Sequence, residues 1–161
     1  MNMKVDQTQI QMREMTPEKY RQYSKHSFDD FIQECSETSG EAIDAVRQRV
    51  GDAPPEPSSS DLWLLVESAK MIIGYLWIRL DMDALEAFGY SIFIEPVSRG
   101  KGLGRKVMLD VRSLLIGRGI SRLKICVFKE NLVARHLYRS LGFQESSFNE
   151  KSQQYVLQID F

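Results

Sequence analysis

Apolar positions along this chain repeat with two different periods, and the places where the period changes mark the elements. Leu62-Trp63-Leu64-Leu65-Val66 and Met71-Ile72-Ile73-Gly74-Tyr75-Leu76-Trp77-Ile78 are β-rich runs joined by a short polar turn at Ser68-Ala69-Lys70. Their nearly continuous apolar character predicts strands covered on both faces. Asp81-Met82-Asp83-Ala84 predicts a turn, and the next strand starts at about Glu86 and ends in Tyr90-Ser91-Ile92-Phe93-Ile94. The period then becomes helical: Val107, Met108, Val111, Leu114 and Leu115 share one face, and Arg118-Gly119 closes that helix. Leu123 to Phe128 predicts a strand, and a helix follows with Asn131 as N-cap and Gly142 as the residue that ends it. Phe143-Gln144-Glu145 and Gln154 to Ile159 predict a last antiparallel pair.

The first sixty residues are less regular. Gln9 to Met15 alternates weakly, as a first strand would. Thr16-Pro17-Glu18 predicts a helix start, with Thr16 as N-cap and Pro17 at the first helical position. Tyr20, Tyr23, Phe28, Phe31 and Ile32 continue that helix to about Cys35, and Ser39-Gly40 breaks it. Ser39 is placed to cap a second helix with Ala42, Ile43, Val46 and Val50 as its apolar positions. The stretch from Gly51 to Ser60 holds too much proline for a helix or central strand and predicts a connecting loop.

Composition adds bounds. A chain of 161 residues with 43% hydrophobic and 27% charged residues fits one soluble globular domain with a real core. The two cysteines, Cys35 and Cys126, have no metal or redox spacing, and Cys126, in an apolar strand, is expected to be buried. Met1 to Asp6 contains no apolar run and no segment reaches membrane-spanning length, so a cytoplasmic protein is expected. The net charge of −1 hides an asymmetry. Residues 1–98 carry 9 basic and 17 acidic side chains, net −8, while residues 99–139 carry 11 and 2, net +9. A basic block of this kind suits a ligand with several phosphates. Nucleic acid is disfavoured, because aromatic and basic residues do not interleave as a stacking platform requires.

The basic block coincides with a glycine loop, Arg99-Gly100-Lys101-Gly102-Leu103-Gly104, set between a strand and a helix start. Helix N-termini present unpaired N–H groups and partial positive charge, and glycines let those amides approach a phosphate. Arg99, Lys101, Arg105 and Lys106 add formal charge. A pyrophosphate seat follows; the plainer alternative is a strand-to-helix turn with solvated basic residues. No Lys-[ST] pair follows, as a nucleoside-triphosphate loop needs, and the glycine spacing is not that of a dinucleotide fingerprint. Arg99, Gly102 and Gly104 do match R-x-x-G-x-G, which resembles the coenzyme A loop of the GNAT N-acetyltransferase superfamily. A second segment, Asn131-Leu132-Val133-Ala134-Arg135-His136-Leu137-Tyr138-Arg139-Ser140-Leu141-Gly142-Phe143, is similar to the superfamily's N-x-x-A-x-x-L-Y-x-x-x-G-F signature, in the right order and at a suitable separation.

The resemblance covers residues 60 to 160 well and the first 60 loosely. With the element order it implies a single acetyltransferase domain over 1–161. Its fold would be an α/β sandwich with a mixed, mostly antiparallel sheet of about seven strands and helices on both faces. It implies acetyl-CoA as co-substrate, with no metal. The pyrophosphate would sit on the amides of Gly100, Lys101, Gly102, Leu103 and Gly104 beside Arg99. The pantetheine arm would pair with Ile92, Phe93 and Ile94 after a splay between the fourth and fifth strands. An N–H of that edge would face the thioester oxygen; losing one such donor typically costs ~2.7–4 kcal/mol. The resemblance makes Tyr138 the acid that protonates the leaving thiolate, against the alternative of a core tyrosine. Asn131 would contact the pantetheine region, a role compatible with capping its helix.

The general base is open between Glu86, Glu95 and water. His136 lies beside Arg135 on a helix face, where solvation is expected, and no Ser/His/Asp triad or metal-ligand cluster stands out, so direct transfer is expected. The resemblance implies an amine acceptor, expected to be a primary amine. The acidic first 98 residues favour a cationic one, a polyamine, aminoglycoside or protein amine, although surface acids also serve solubility. The sequence leaves open the acyl-chain length and the oligomeric state, and a homodimer would agree with the resemblance. The competing class is a non-catalytic coenzyme A-binding sensor or interaction module.

Overall fold

The structure, a computed structural model, describes residues 9–54 and 56–161. The expectation for Met1 to Asp6, and Pro55 of the proline loop, lie outside the described residues. In chain order the elements are β1 (Gln11–Glu14), α1 (Pro17–Ser39), α2 (Ile43–Val50), β2 (Asp61–Ser68), β3 (Met71–Asp81) and β4 (Glu86–Ile94), followed by a 3₁₀ turn (Pro96–Ser98). Then come α3 (Leu103–Gly117), β5 (Arg122–Phe128), α4 (Leu132–Ser140), β6 (Gln144–Asn149) and β7 (Gln154–Asp160). The strands form one seven-stranded mixed sheet in the order β1-β2-β3-β4-β5-β7-β6. Backbone contacts group the chain into two units. One takes the chain up to Met15, Ser60–Leu123 and Asp160–Phe161; the other takes Thr16–Ser59 and Lys124–Ile159.

The first unit is built on the β2–β3 hairpin. Ala69 and Lys70 both take positive φ (49° and 65°), the geometry that lets a two-residue turn follow the strands' twist. Leu62, Leu64 and Val66 point to one face and Trp63 and Leu65 to the other, and all five are buried. The strands are therefore covered on both faces, as their near-continuous apolar runs predict. Beside them β4 runs antiparallel to β3 from Asp81↔Glu86 to Gly74↔Ile94. The register slips between Trp77 and Ile78, whose partners are Ser91 and Gly89, so Tyr90 is an extra residue bulging from β4. Leu103, Val107, Met108, Val111 and Leu115 form the buried face of α3, with Leu114 half-buried at its margin.

The second unit holds α1, which is capped as expected: the Thr16 hydroxyl accepts from the Lys19 N–H at 3.2 Å. The helix continues past Cys35 to Ser39 and ends on left-handed Gly40. Ser39 does not cap α2. Its hydroxyl accepts from the Glu41 N–H at 3.1 Å, and α2 starts after Ala42 with no side-chain cap. Ile32, Cys35, Val46 and Phe128 make the buried cluster of this unit, with Phe28, Phe31 and Val50 against it. Cys35, not Cys126, is the buried cysteine; Cys126 is half-buried, because it falls at an alternate strand position between buried Ile125 and Val127. Asn131 and Gly142 bracket α4 as expected, with Gly142 at φ 97°. β6 and β7 pair antiparallel, and β6 is exposed along its whole length.

At Gly74 the backbone of β4 lies close against β3. A Cβ built there would lie 2.1 Å from the Phe93 carbonyl oxygen, so backbone would have to shift. Gly74→Ala is expected to cost about 1–3 kcal/mol in urea unfolding, the range for overpacking a fitted interior. An unchanged midpoint would mean that β4 yields freely.

Candidate functional site

Past the Tyr90 bulge, Ser91, Ile92, Phe93 and Ile94 pair with Trp77, Leu76, Tyr75 and Gly74 and remain half-buried. The Phe93 ring stacks on Tyr75 at 5.1 Å. At the strand's end the Glu95 N–H donates to the Ile73 carbonyl at 2.7 Å, and the 3₁₀ turn then redirects the chain. Arg99 closes that turn. Its Nε donates to the Ile94 carbonyl at 2.7 Å and its guanidinium sits 5.4 Å from the Phe93 ring centroid, so its charge is folded back onto the end of β4.

Gly100 and Gly102 both take φ 75°, a left-handed conformation that costs other residues about 1–2 kcal/mol. Open space lies where a Cβ would stand at either position. Gly102 is the N-cap of α3 and no side chain caps that helix; no acid lies in its first turn. Leu103, 5% exposed, anchors the helix start, while Lys101 is exposed. Gly104 is already helical and half-buried, so it contributes the absence of a side chain, not a left-handed turn. The predicted loop residues and Ile92, Phe93 and Ile94 therefore form one continuous stretch of the first unit.

Asn131 and Tyr138 lie in the second unit, on α4. The Asn131 Oδ1 accepts from the Ala134 N–H at 3.2 Å, which makes the cap real. Tyr138 is 8% exposed with its ring 5.5 Å from that of Phe143, and burial pushes its phenol up to about 12. Leu132 and Val133, in the first turn, are 66% and 84% exposed.

The family model described as "Acetyltransferase (GNAT) family" matches residues 11–143, most of the chain. The chain belongs to the GNAT family. It is thus an N-acetyltransferase using acetyl-CoA as donor. It is 30% identical over 146 residues to the uncharacterized N-acetyltransferase YycN of Bacillus subtilis, covering 85% of this chain and 94% of that one. The crystal structure of YycN superposes with a TM-score of 0.78 at 25% identity, over 88% of this chain and 96% of that chain. A mycothiol acetyltransferase of Thermobispora bispora is 34% identical over 86 residues, 50% of this chain but 29% of that longer protein. The fold is also that of Vibrio cholerae spermidine N-acetyltransferase, solved with CoA and spermine. There the TM-score is 0.70 at 20% identity, over 95% of this chain and 96% of that one.

In this GNAT chain the residues present fit the donor. A pyrophosphate needs unpaired amides, room for its oxygens and no competing carboxylate. The α3 start has no side-chain cap and no acid in its first turn, and open space lies beside Gly100 and Gly102. The acid–base candidates separate clearly. Glu86 accepts from Arg122 Nη1 at 3.1 Å, Arg122 also binds Asp160, and Glu86 stands at the opposite end of β4 from the loop. Eight residues of strand, roughly 27 Å at ~3.4 Å each, separate it from Ile94. Glu95 is half-buried directly after Ile94, and His136 is exposed, as its position beside Arg135 predicts.

Sequence reasoning missed the clamp that fixes α4. Arg135 donates to the Lys129 carbonyl at 3.0 Å and to Glu145, and lies 4.5 Å from the Tyr155 ring centroid. Arg139 joins it on Glu145, and the Arg139 hydrogen bond above all holds that carboxyl below its usual range. Glu145 comes from β6 and Tyr155 from β7, and no local spacing announces them. Among the described residues no helix is long and apolar enough to cross a membrane, and no group of three or more His, Cys, Asp or Glu could hold a metal.

Gly102→Ala separates the two jobs of the loop. Strain at φ 75° should cost the fold only about 1–2 kcal/mol, whereas a methyl among the amides should weaken coenzyme A binding by tenfold or more (about 1.4 kcal/mol). Calorimetric titration beside thermal unfolding checks both; unchanged affinity would remove the loop from the binding site.

Proposed function

We propose that this GNAT enzyme transfers an acetyl group directly to a primary amine carried by a cationic small molecule or by a protein. The observation that carries the reading is the start of α3: left-handed glycines, no side-chain cap and no acid, immediately after β4. Acetyl-CoA, when bound, supplies an acyl carbon activated as a thioester. Gly100, Lys101, Gly102, Leu103 and Gly104 hold its pyrophosphate by their N–H groups, and Arg99 orders the strand end by holding Ile94 and Phe93. The backbone of Ile92, Phe93 and Ile94 aligns the pantetheine arm, and an N–H of this stretch donates to the oxyanion that develops on the reacting carbonyl.

Tyr138 is the acid of this reading. With its pKa at about 12 the phenol stays protonated throughout the neutral range, so its O–H is always available. A free thiol has a pKa of ~8.5, so the phenol acts first by donating a hydrogen bond to charge growing on sulfur. Complete transfer requires that charge to be as poorly solvated as the phenolate would be. Asn131 orients the same arm while capping α4. Deprotonation of the amine falls to Glu95 or to water, since Glu86 is engaged by Arg122. The net charge of −8 on residues 1–98 supports a cationic acceptor. The same reading takes residues 1–161 as one domain working in the cytoplasm, apart from nucleic acid and membrane, with room for a homodimer.

Thiol release from acetyl-CoA over a panel of amines tests the reading. Tyr138→Phe should lower kcat about a hundredfold with coenzyme A affinity unchanged; equal turnover would remove Tyr138 as the acid. Activity confined to anionic amines would overturn the cationic preference.

A further inference from the structure

At the bulge of β4 the first unit carries a cluster that donor binding does not use. Trp63 and Trp77 stack at 4.8 Å, Trp77 and Tyr90 at 4.6 Å, and Phe88 lies tilted against Tyr90 at 4.6 Å. The Arg79 guanidinium lies on this shelf, 5.9 Å from the Trp77 ring centroid and 5.4 Å from that of Tyr90. Asp61 fixes it: the carboxylate accepts from Arg79 Nε at 2.8 Å and Nη2 at 3.2 Å, and from Trp77 Nε1 at 3.1 Å. The Asp61 side chain is 1% exposed, but that of Arg79 is 39% exposed and Tyr90 is 48% exposed.

A clasp between β2 and β3 would account for the buried carboxylate, though not for the open side of the cluster. A guanidinium has five N–H donors; Asp61 takes two and the Tyr90 hydroxyl another, so two remain on a planar group already locked in one orientation. Such a group favours an oxygen ligand, carbonyl or carboxylate, and disfavours a second ammonium beside it. The bulge turns Tyr90 outward next to Ser91, and Ile92 follows two residues on, about 7 Å along the strand. Leu76, the partner of Ile92, lies three residues from Arg79, about 10 Å along β3, a gap that the reach of the arginine side chain and an acceptor with its amine and oxygen on adjacent carbons cover together.

We infer that Arg79, locked by Asp61 over Trp77 and Tyr90, is a specificity residue that receives an oxygen of the acceptor, so that the acceptor is an α-aminoacyl unit, either a free amino acid or a peptide N-terminus. The inference rests on the acetyl-transfer reading above and not on its cationic preference: an aminoacyl amine has the required oxygen, and a polyamine has none.

The test is thiol release by the full chain with acetyl-CoA. The acceptors are amino acids, the matching aminoacyl-glycine dipeptides, the decarboxylated amines of the same side chains, and spermidine. The best acceptor is expected among the oxygen-bearing sets, above its matched amine by about tenfold or more in kcat/KM, the worth of one charge-assisted hydrogen bond. The dipeptide and amino acid arms tell peptide from free amino acid. Arg79→Lys, which keeps the charge and loses the fork, should bring the ratio close to one with coenzyme A affinity unchanged. A best rate on spermidine or a decarboxylated amine overturns the inference alone, as does a ratio that survives in folded Arg79→Lys. Should that variant not fold, the wild-type ratio decides. Binding of acetyl-CoA with no turnover on any acceptor also counts against it, whereas no binding by calorimetry overturns the donor reading beneath it.

Discussion

A helix that begins without a side-chain cap leaves backbone donors whose hydrogen bonds must come from elsewhere, and α3 begins in this way after a strand held firmly in place. The strand is fixed by β3. Gly74 lets the Phe93 carbonyl approach closely, and the bulge at Tyr90 sets the register of everything that follows. Arg99 then ties the last strand carbonyl to the turn that leads into the glycines. On the proposed reading, donor recognition in this GNAT chain is a property of backbone geometry first. On that reading, formal charge from Lys101, Arg105 and Lys106 adds to the attraction without shaping the site.

On the proposed reading the residues of α4 and its cap carry two duties at once. Asn131 satisfies the helix start with its Oδ1, and Tyr138 fills a buried site against Phe143. A buried phenol is costly to ionise, which keeps the proton where an acid needs it and also limits how readily it is released. The clamp of Arg135 and Arg139 on Glu145 fixes the helix on which both residues ride. On that reading turnover and stability are entangled at Asn131, and the binding of coenzyme A must be measured beside activity in any variant of α4.

Local chemistry made much of this legible in the sequence. Thr16, Gly40, Asn131 and Gly142 sit where capping rules put them, and the strand–glycine–helix passage around Gly102 follows from short spacings alone. What escaped depends on partners far away in the chain. Ser39 has a local alternative in the Glu41 N–H and so never caps α2. Glu86 reads as a free acid until β4 brings it to Arg122. Cys126 sits in an apolar run, but strand alternation leaves it half-buried. Gly89, an isolated glycine within the strand, is the one local sign of the bulge at Tyr90, and the Asp61–Arg79 pair joins residues 18 apart through strand register.

A crystal structure of the chain with coenzyme A tests the central claim most directly. The account predicts the pyrophosphate within hydrogen-bonding distance of the N–H groups of Gly100 to Gly104, at the first turn of α3. A pyrophosphate seated elsewhere, with these amides turned to solvent, would contradict it.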